Sequence, residues 1–389
     1  MSKLFTSFNK LRLLVFVRFL GESLYFPFVS LYLSSVGFET HQIGIVIASS
    51  SITALVCAPI YSAICKTPRQ AKIALMVMSV LEPLCIVLLI LSKSFILSLC
   101  SIILVSIFSS TNYGLLDSLM ALTAKQEKQE FSKIRVFGSS SYLLGVLLSS
   151  YIIKYLGYRV LFSMAISLFV LTLLLYFTIK APNKEETIKE KSSFKEIFKN
   201  KSFLLYVIFY VLLIGSMQVS DDFFSLYLKE EGGKDHYYSY VMVGFIVIEI
   251  LTMSLFKYWF KHLGYKAYFV SAFVLVIRLF IQMLDVSNLG VLMASQMLRG
   301  ITWGIALSLN SRFIVELLGF SKSTRGIIFT TFMVSVFTAI FKYAGGYIIE
   351  DIGYPNFYKI FFVVALACFI YFIFFYKMYK KKTVTDSTL

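Results

Sequence analysis

The sequence is short of charge. Only 15% of its 389 residues are Asp, Glu, Lys or Arg, while 58% are hydrophobic and the mean hydropathy is +0.79. An average soluble domain carries about 25% charged residues. A soluble fold of this length would leave too much apolar surface in water. A soluble enzyme is therefore excluded. So is a nucleic-acid binder, despite a formal charge of +16. Proline is scarce as well, at six residues, which leaves few places to break a helix. The three histidines, His41, His236 and His262, all fall in loops or at a helix end. No metal site, nucleophile or cofactor site can be drawn from them. The five cysteines show no CxxC spacing. They read as packing residues, with neither disulfides nor metal ligands expected. No small-residue cleavage site follows the first apolar run, which is expected to be a retained helix.

What is abundant is long apolar sequence, with 39 Phe and 25 Tyr. A bilayer core needs about 20 apolar residues per helix. Twelve such runs are present: 11–33, 43–64, 71–91, 95–122, 132–153, 158–179, 203–228, 237–259, 265–284, 289–316, 325–349 and 356–377. Connections are short except 180–202, whose dense Lys and Glu content reads as a solvated linker. Lysine and arginine crowd one set of loops, including Lys66, Arg69, Lys125, Lys133, Lys257, Lys261, Lys266 and Lys380. The opposite set holds only Lys93, Lys154, Arg159, Lys229, Lys234 and Lys359. Basic residues stay on the cytoplasmic side, so the expected location is a cell membrane, with both termini and the linker on its cytoplasmic side.

The chain repeats itself. Ser30-Leu31-Tyr32-Leu33 with Gly37 recurs as Ser225-Leu226-Tyr227-Leu228 with Gly232, and His41 recurs as His236, at an offset of 195. Tyr151-Ile152-Ile153 with Gly157-Tyr158 recurs as Tyr347-Ile348-Ile349 with Gly353-Tyr354, at an offset of 196. Concordant matches at half the chain length indicate a six-plus-six parallel duplication. The expected fold is an all-α integral membrane protein, with twelve transmembrane helices in two six-helix pseudo-repeats. Its parts are an N-terminal bundle over 1–180, a linker over 181–202 and a C-terminal bundle over 203–389. This is the architecture of major facilitator transporters, in which the halves enclose a cavity.

Ionisable groups within the runs cost about 2.5–3.5 kcal/mol each on insertion scales, so they are expected to pair or to face a cavity. Arg18 and Glu22 are four residues apart and are expected to form a structural pair on one helix face. Asp222 and Lys342, both in the outer halves of their spans, are expected to form another. Asp117 and Arg135 lie at similar depth on the antiparallel fourth and fifth spans. Glu249 and Arg278 lie near the middle of the eighth and ninth. A midplane carboxylate near an arginine is a candidate proton carrier.

At these residues the chain resembles a known family. Phe131-Ser132-Lys133-Ile134-Arg135-Val136-Phe137-Gly138, with Asp117 upstream, resembles the span four–five region of lactose permease and its relatives. Gly244 to Glu249, then Gly264-Tyr265-Lys266 and Arg278, resembles their span eight–nine region. Pro27-Phe28, Leu31-Tyr32-Leu33, Gly37 and Gln42-Ile43-Gly44, with Gln296-Met297-Leu298 and Thr302-Trp303-Gly304, look more like the phenylpropionate-permease and nucleoside-symporter branches. The resemblance implies a major facilitator fold. It implies that Asp117 and Arg135 bind substrate, with Tyr142 as the stacking aromatic and Arg299 facing the same cavity. Glu249 would join recognition to proton coupling, with Arg278 in the coupling set. Two departures stand out. The span-ten histidine and glutamate of lactose permease fall here at Arg299 and Thr302, so the relay differs. The loop after span two lacks the acid of the usual Gly-x-x-x-Asp motif.

The function expected is proton-coupled import of a small organic solute by a monomer in the lipid bilayer, with no cofactor and no nucleic-acid partner. Asp117 favours a hydroxylated solute, a saccharide or nucleoside, because a carboxylate accepts hydroxyl hydrogen bonds. The three arginines Arg135, Arg278 and Arg299 would instead suit an aromatic or other organic acid. A drug-type efflux antiporter is a further alternative, weakened by the absence of proline from span five. A polytopic enzyme or a sensor would need catalytic clusters or an output domain, and neither is visible.

Overall fold

The structure, a computed structural model, describes residues 7–181, 197–284 and 288–386. Among these, eleven helical segments are long and apolar enough to cross a bilayer. The last of them, Lys322–Tyr379, is 58 residues long. Its backbone breaks at Gly353 (φ 78°, ψ 167°), a conformation L side chains rarely adopt, so it makes two crossings. That gives the twelve crossings of an all-α membrane protein.

The chain divides into two compact units. The first holds residues 1–187 with 235–240, and the second holds 188–234 with 241–389. Most of the charged linker, 182–196, lies outside the described residues.

In the first unit, α1 (Ser7–Ser23) leads through a 3₁₀ turn at Phe26–Phe28 into α2 (Val29–Val36). Pro27 sits in that turn, where its fixed φ and missing N–H fit a helix start. The unit continues with α3 (Thr40–Ile64), α4 (Pro68–Leu91), α5 (Phe95–Ser109), α6 (Asn112–Gln126), α7 (Ser132–Tyr155) and α8 (Gly157–Thr178). Helices α5 and α6 form one crossing interrupted at Ser110–Thr111.

Helix α7 meets α1 along small residues. A Cβ at Gly138 would press on Val15 and Phe19, and one at Gly145 would collide with the Ser23 hydroxyl. Between transmembrane helices, close backbone approach supplies the packing that hydrophobic burial supplies in water.

In the second unit, α9 (Lys201–Tyr210) passes through a π-helical turn, Val211–Gly215, into α10 (Ser216–Glu230). Then follow α11 (Tyr237–Ser254), α12 (Phe256–Leu263), α13 (Ala267–Met283), α14 (Leu289–Met297), α15 (Arg299–Leu318) and α16 (Phe320–Asp386). The eighth crossing is shorter than the run 237–259 predicts. It stops at Ser254, and residues 256–263 form a separate helix because Lys257 and Lys261 recur four apart opposite Phe256, Trp259, Phe260 and Leu263. Aromatic rings fill this unit's core. The hydroxyls of Tyr206 and Tyr268 meet at 2.7 Å, and Tyr206 also donates to Asn310 Oδ1 at 2.9 Å.

Candidate functional site

Polar side chains gather where the helices are irregular. In the first unit, the break at Ser110–Thr111 starts a new helix that presents Asn112 and Tyr113 in its first turn and Asp117 in the next. Asp117 Oδ1 pairs with Arg135 Nη1 of α7 at 2.9 Å. The Arg135 guanidinium lies over the Phe19 ring, 5.0 Å from its centroid, and Tyr113 meets Phe19 edge-on at 5.5 Å. Tyr113 donates a hydrogen bond to Glu22 of α1. Tyr142, half-buried on α7, packs against the adjoining apolar cluster. An ion pair, two tyrosines, a phenylalanine ring and a carboxylate thus converge from α1, α6 and α7. Such a set offers hydrogen-bond acceptors, donors and ring faces to a small polar ligand.

Arg18, four residues before Glu22, has a different partner from the expected one. Its guanidinium pairs with Glu82 of α4 at 2.7 Å. It also lies 4.3 Å from the Phe169 ring centroid. With its amide oxygen turned to it, Asn112 accepts from Arg18 at 3.0 and 2.5 Å. The four-residue spacing does place Glu22 on the same helix face. A second carboxylate and an amide on neighbouring helices reach the guanidinium better than a side chain on its own helix, and Glu22 turns to Tyr113.

The second unit holds a denser cluster. Asp221, in the second turn past the π-helical segment, pairs through Oδ1 with Arg278 at 2.8 Å and through Oδ2 with Arg299 at 2.5 Å. Gln296 Nε2 donates to Asp221 Oδ1 at 3.0 Å, and Gln282 Nε2 donates to Gln296 Oε1 at 2.9 Å. Arg278 also donates to Ser220 Oγ at 2.6 Å. Arg299 stands at the break between α14 and α15 and lies 4.1 Å from the Phe245 ring centroid. Beside this cluster, Lys342 pairs with Asp222 at 2.6 Å.

Arg278 is therefore engaged with Asp221, where sequence depth suggests Glu249. Glu249 sits half-buried on α11. Its backbone is pressed against α15, since a Cβ at Gly300 or Gly304 would run into the backbone of Glu249 or its neighbours. Sequence reasoning passed over Glu82, Gln282 and Gln296 as partners. A glutamine in the middle of an apolar run is itself a signal, because its amide must find a partner in hydrocarbon.

Exposure separates the pairs. The Asp117 and Arg135 side chains are 43% and 38% exposed, whereas Arg18 and Glu82 are 1% and 3%, and Arg278 and Asp221 are 0% and 8%. The first pair can meet a solute, while the other two are sealed among helices.

The comparisons with known proteins agree with this architecture. The model of the MFS_1 like family matches residues 8–381. The uncharacterized transporter YwbF of Bacillus subtilis (strain 168) is 20% identical over 371 residues, covering 94% of this chain and 92% of that protein. Among solved structures, the nucleoside transporter NupG superposes with a TM-score of 0.82 at 16% identity, over 96% of this chain and 99% of that one. A POT family transporter in complex with 5-aminolevulinic acid gives a TM-score of 0.74 at 12% identity, over 94% and 95% of the two chains. These structural likenesses establish the fold. The chain belongs to the MFS_1 like family and is a multi-pass membrane transporter of the major facilitator type.

Proposed function

We propose that this protein imports a small hydroxylated solute, a nucleoside or a saccharide, together with protons. The observation that carries the reading is the half-exposed Asp117–Arg135 pair with Phe19, Tyr113 and Tyr142 around it. A carboxylate accepts from sugar or ribose hydroxyls, a guanidinium donates to them, and ring faces stack on a base or a sugar. The likeness in fold to the nucleoside transporter NupG supports the nucleoside over the saccharide. The coupling proton is assigned to Glu249, half-buried on α11 beside α15. Arg278 belongs to this assignment only indirectly, because Asp221 holds it.

The reading includes a cell-membrane location with both termini in the cytoplasm and a monomer as the working unit. A cysteine replacing Lys261 in a cysteine-free background would then be closed to an impermeant reagent added to intact cells, and one replacing Lys93 would be open. The reverse pattern would overturn the orientation. The function itself is tested by uptake of labelled nucleosides, sugars and aromatic acids into proteoliposomes, with and without an imposed pH gradient. Accumulation of an organic acid alone would replace the proposed substrate class.

A further inference from the structure

Helix α12 is amphipathic out of proportion to its eight residues. Phe256, Phe260, Leu263 and Trp259 fall on one arc of the helix, and Lys257, Lys261, Tyr258 and His262 on the other. None of its residues is buried. Trp259 donates from Nε1 to the Thr252 carbonyl at 2.8 Å, which folds α12 back against the end of α11. The inner side of this fold borders an apolar groove of about 340 Å³. Leu251, Leu255, Trp259, Val270, Ile301 and Ile305 line it.

Charge collects on the outward arc of α12 and just beyond its end, across the helix from the groove. Lys257, Lys261 and Lys266 are exposed, and Lys266 lies one turn before Val270, on the same side of the chain. Arg312 stacks over Phe256 and Phe260, with its guanidinium 4.7 and 5.8 Å from the ring centroids. The neighbouring acid, Glu316, accepts hydrogen bonds from Tyr265 at 3.3 Å and from Tyr379 at 3.1 Å. An apolar slot beneath an amphipathic helix, with tryptophan on the inner arc and lysines on the outer one, matches a lipid with an anionic head.

We propose that α12 and this groove form a binding site for an anionic phospholipid. An acyl chain lies along Leu251, Leu255, Trp259 and Ile305, and the phosphate sits among Lys257, Lys261 and Lys266. The lysines then do more than orient the chain by their sign, because they choose among headgroups. The site involves none of the transport residues, so it stands or falls apart from the proposed substrate.

The test uses tryptophan fluorescence, since the chain holds only Trp259 and Trp303. The full-length Trp303→Phe protein is reconstituted in phosphatidylcholine vesicles containing increasing fractions of brominated phosphatidylglycerol or brominated phosphatidylcholine. One juxtamembrane lysine is worth about fivefold in affinity for an anionic surface. Half-quenching of Trp259 is therefore expected at a roughly fivefold lower fraction of the anionic lipid. The preference should shrink toward unity in the triple variant Lys257→Gln, Lys261→Gln, Lys266→Gln, persist in the corresponding arginine triple, and weaken at high salt. Subtracting the signal of Trp259→Phe from that of the wild type gives the same quantity without altering Trp303. Equal quenching by both lipids overturns the proposal, and so does a preference that survives the glutamine triple. Failure of either lipid to quench Trp259 would mean that the groove is covered by something else, such as a second copy of the chain, and also overturns it.

Discussion

Glu82 and Arg278 are separated by 196 residues, the offset of the internal repeat, and carry opposite charges in equivalent places. Each is anchored to the first crossing of its own half: Glu82 to Arg18 at 2.7 Å, and Arg278 to Asp221 at 2.8 Å. The third crossing of each unit is thus tied to the first by one buried ion pair, with the sign inverted between units. The place of the tie on the third crossing follows the repeat and its polarity does not; on the first crossing the partner has moved by about two helical turns. Only the pairing need be kept for packing, so reversing both partners together is tolerated. Reversing one would leave two like charges in hydrocarbon.

A single neutralisation should therefore be costly in either unit. Glu82→Gln leaves Arg18 with the Asn112 amide and the charge of Glu22 on its own helix, and Arg278→Met leaves Asp221 to Arg299 and Gln296. Removing one member of a buried pair costs about 3–5 kcal/mol. Both variants are expected to melt well below the wild type in detergent. The double replacement Arg18→Met with Glu82→Leu should recover much of the loss, because an apolar pair of similar volume carries no desolvation cost. A double variant no more stable than Glu82→Gln would show that the guanidinium has a role beyond its partner.

Helix contact in the first unit gives a second expectation. Gly145→Ala drives a methyl group into the Ser23 hydroxyl, whose own hydrogen bond to the Leu20 carbonyl is 2.7 Å long. Overpacking of this kind costs about 1–3 kcal/mol. Adding Ser23→Gly should restore the melting temperature of Gly145→Ala, even though Ser23→Gly alone is mildly destabilising. Additive losses in the double variant would locate the strain elsewhere.

Much of this was readable from the chain. Twelve apolar runs, the repeat and the depth match of Asp117 with Arg135 all follow from one-dimensional spacing. Asp117 and Arg135 lie on consecutive antiparallel crossings joined by a short loop, so equal distance from that loop means contact. Arg18 and Arg278 escaped the same logic. Their partners sit on crossings one and three, and seven and nine, which are not consecutive, and adjacency there is fixed only by the bundle. Local spacing offered Glu22 to Arg18, and midplane depth offered Glu249 to Arg278. Packing delivered Glu82 and Asp221. The break at Leu255 was hidden for another reason: Phe256, Tyr258 and Trp259 at the start of α12 continue the apolar run of α11 across it.

The Asp117–Arg135 pair is expected to act in recognition. Asp117→Asn and Arg135→Gln should each abolish substrate binding, measured by equilibrium binding to purified protein, while membrane insertion continues. The partial exposure of both side chains keeps the stability cost well below that of Glu82→Gln. The exchange of Asp117→Arg with Arg135→Asp should restore the melting temperature and leave transport absent, because donor and acceptor then face the wrong groups of the solute. Normal transport by the exchanged protein would reduce the pair to a structural tie.

Coupling provides the most discriminating measurement. The second unit offers three carboxylates within its crossings near the polar cluster: Asp221, Asp222 and Glu249. Asp221 is shared by two guanidinium groups and an amide, and Asp222 is paired with Lys342. Asp221, 8% exposed, is bound into the packing, so removing its charge should act first on stability, while the 36%-exposed Asp222 is committed to the Lys342 ammonium. Glu249 is half-buried, and glycines at 300 and 304 let α15 come close to its backbone, so a shift of α15 changes its surroundings directly. A proton carrier needs that sensitivity, since its two states must respond to the conformation of the transporter. Glu249→Gln fixes the neutral form. The variant is expected to keep substrate binding and counterflow exchange within about twofold of the wild type, because exchange needs no net proton movement. It should lose accumulation driven by an imposed pH gradient. Asp221→Asn, in contrast, should lower the melting temperature and reduce exchange and accumulation together. If Glu249→Gln still concentrates substrate in response to the gradient, the coupling proton is carried elsewhere, and Glu22, hydrogen-bonded to Tyr113 in the first unit, becomes the residue to replace.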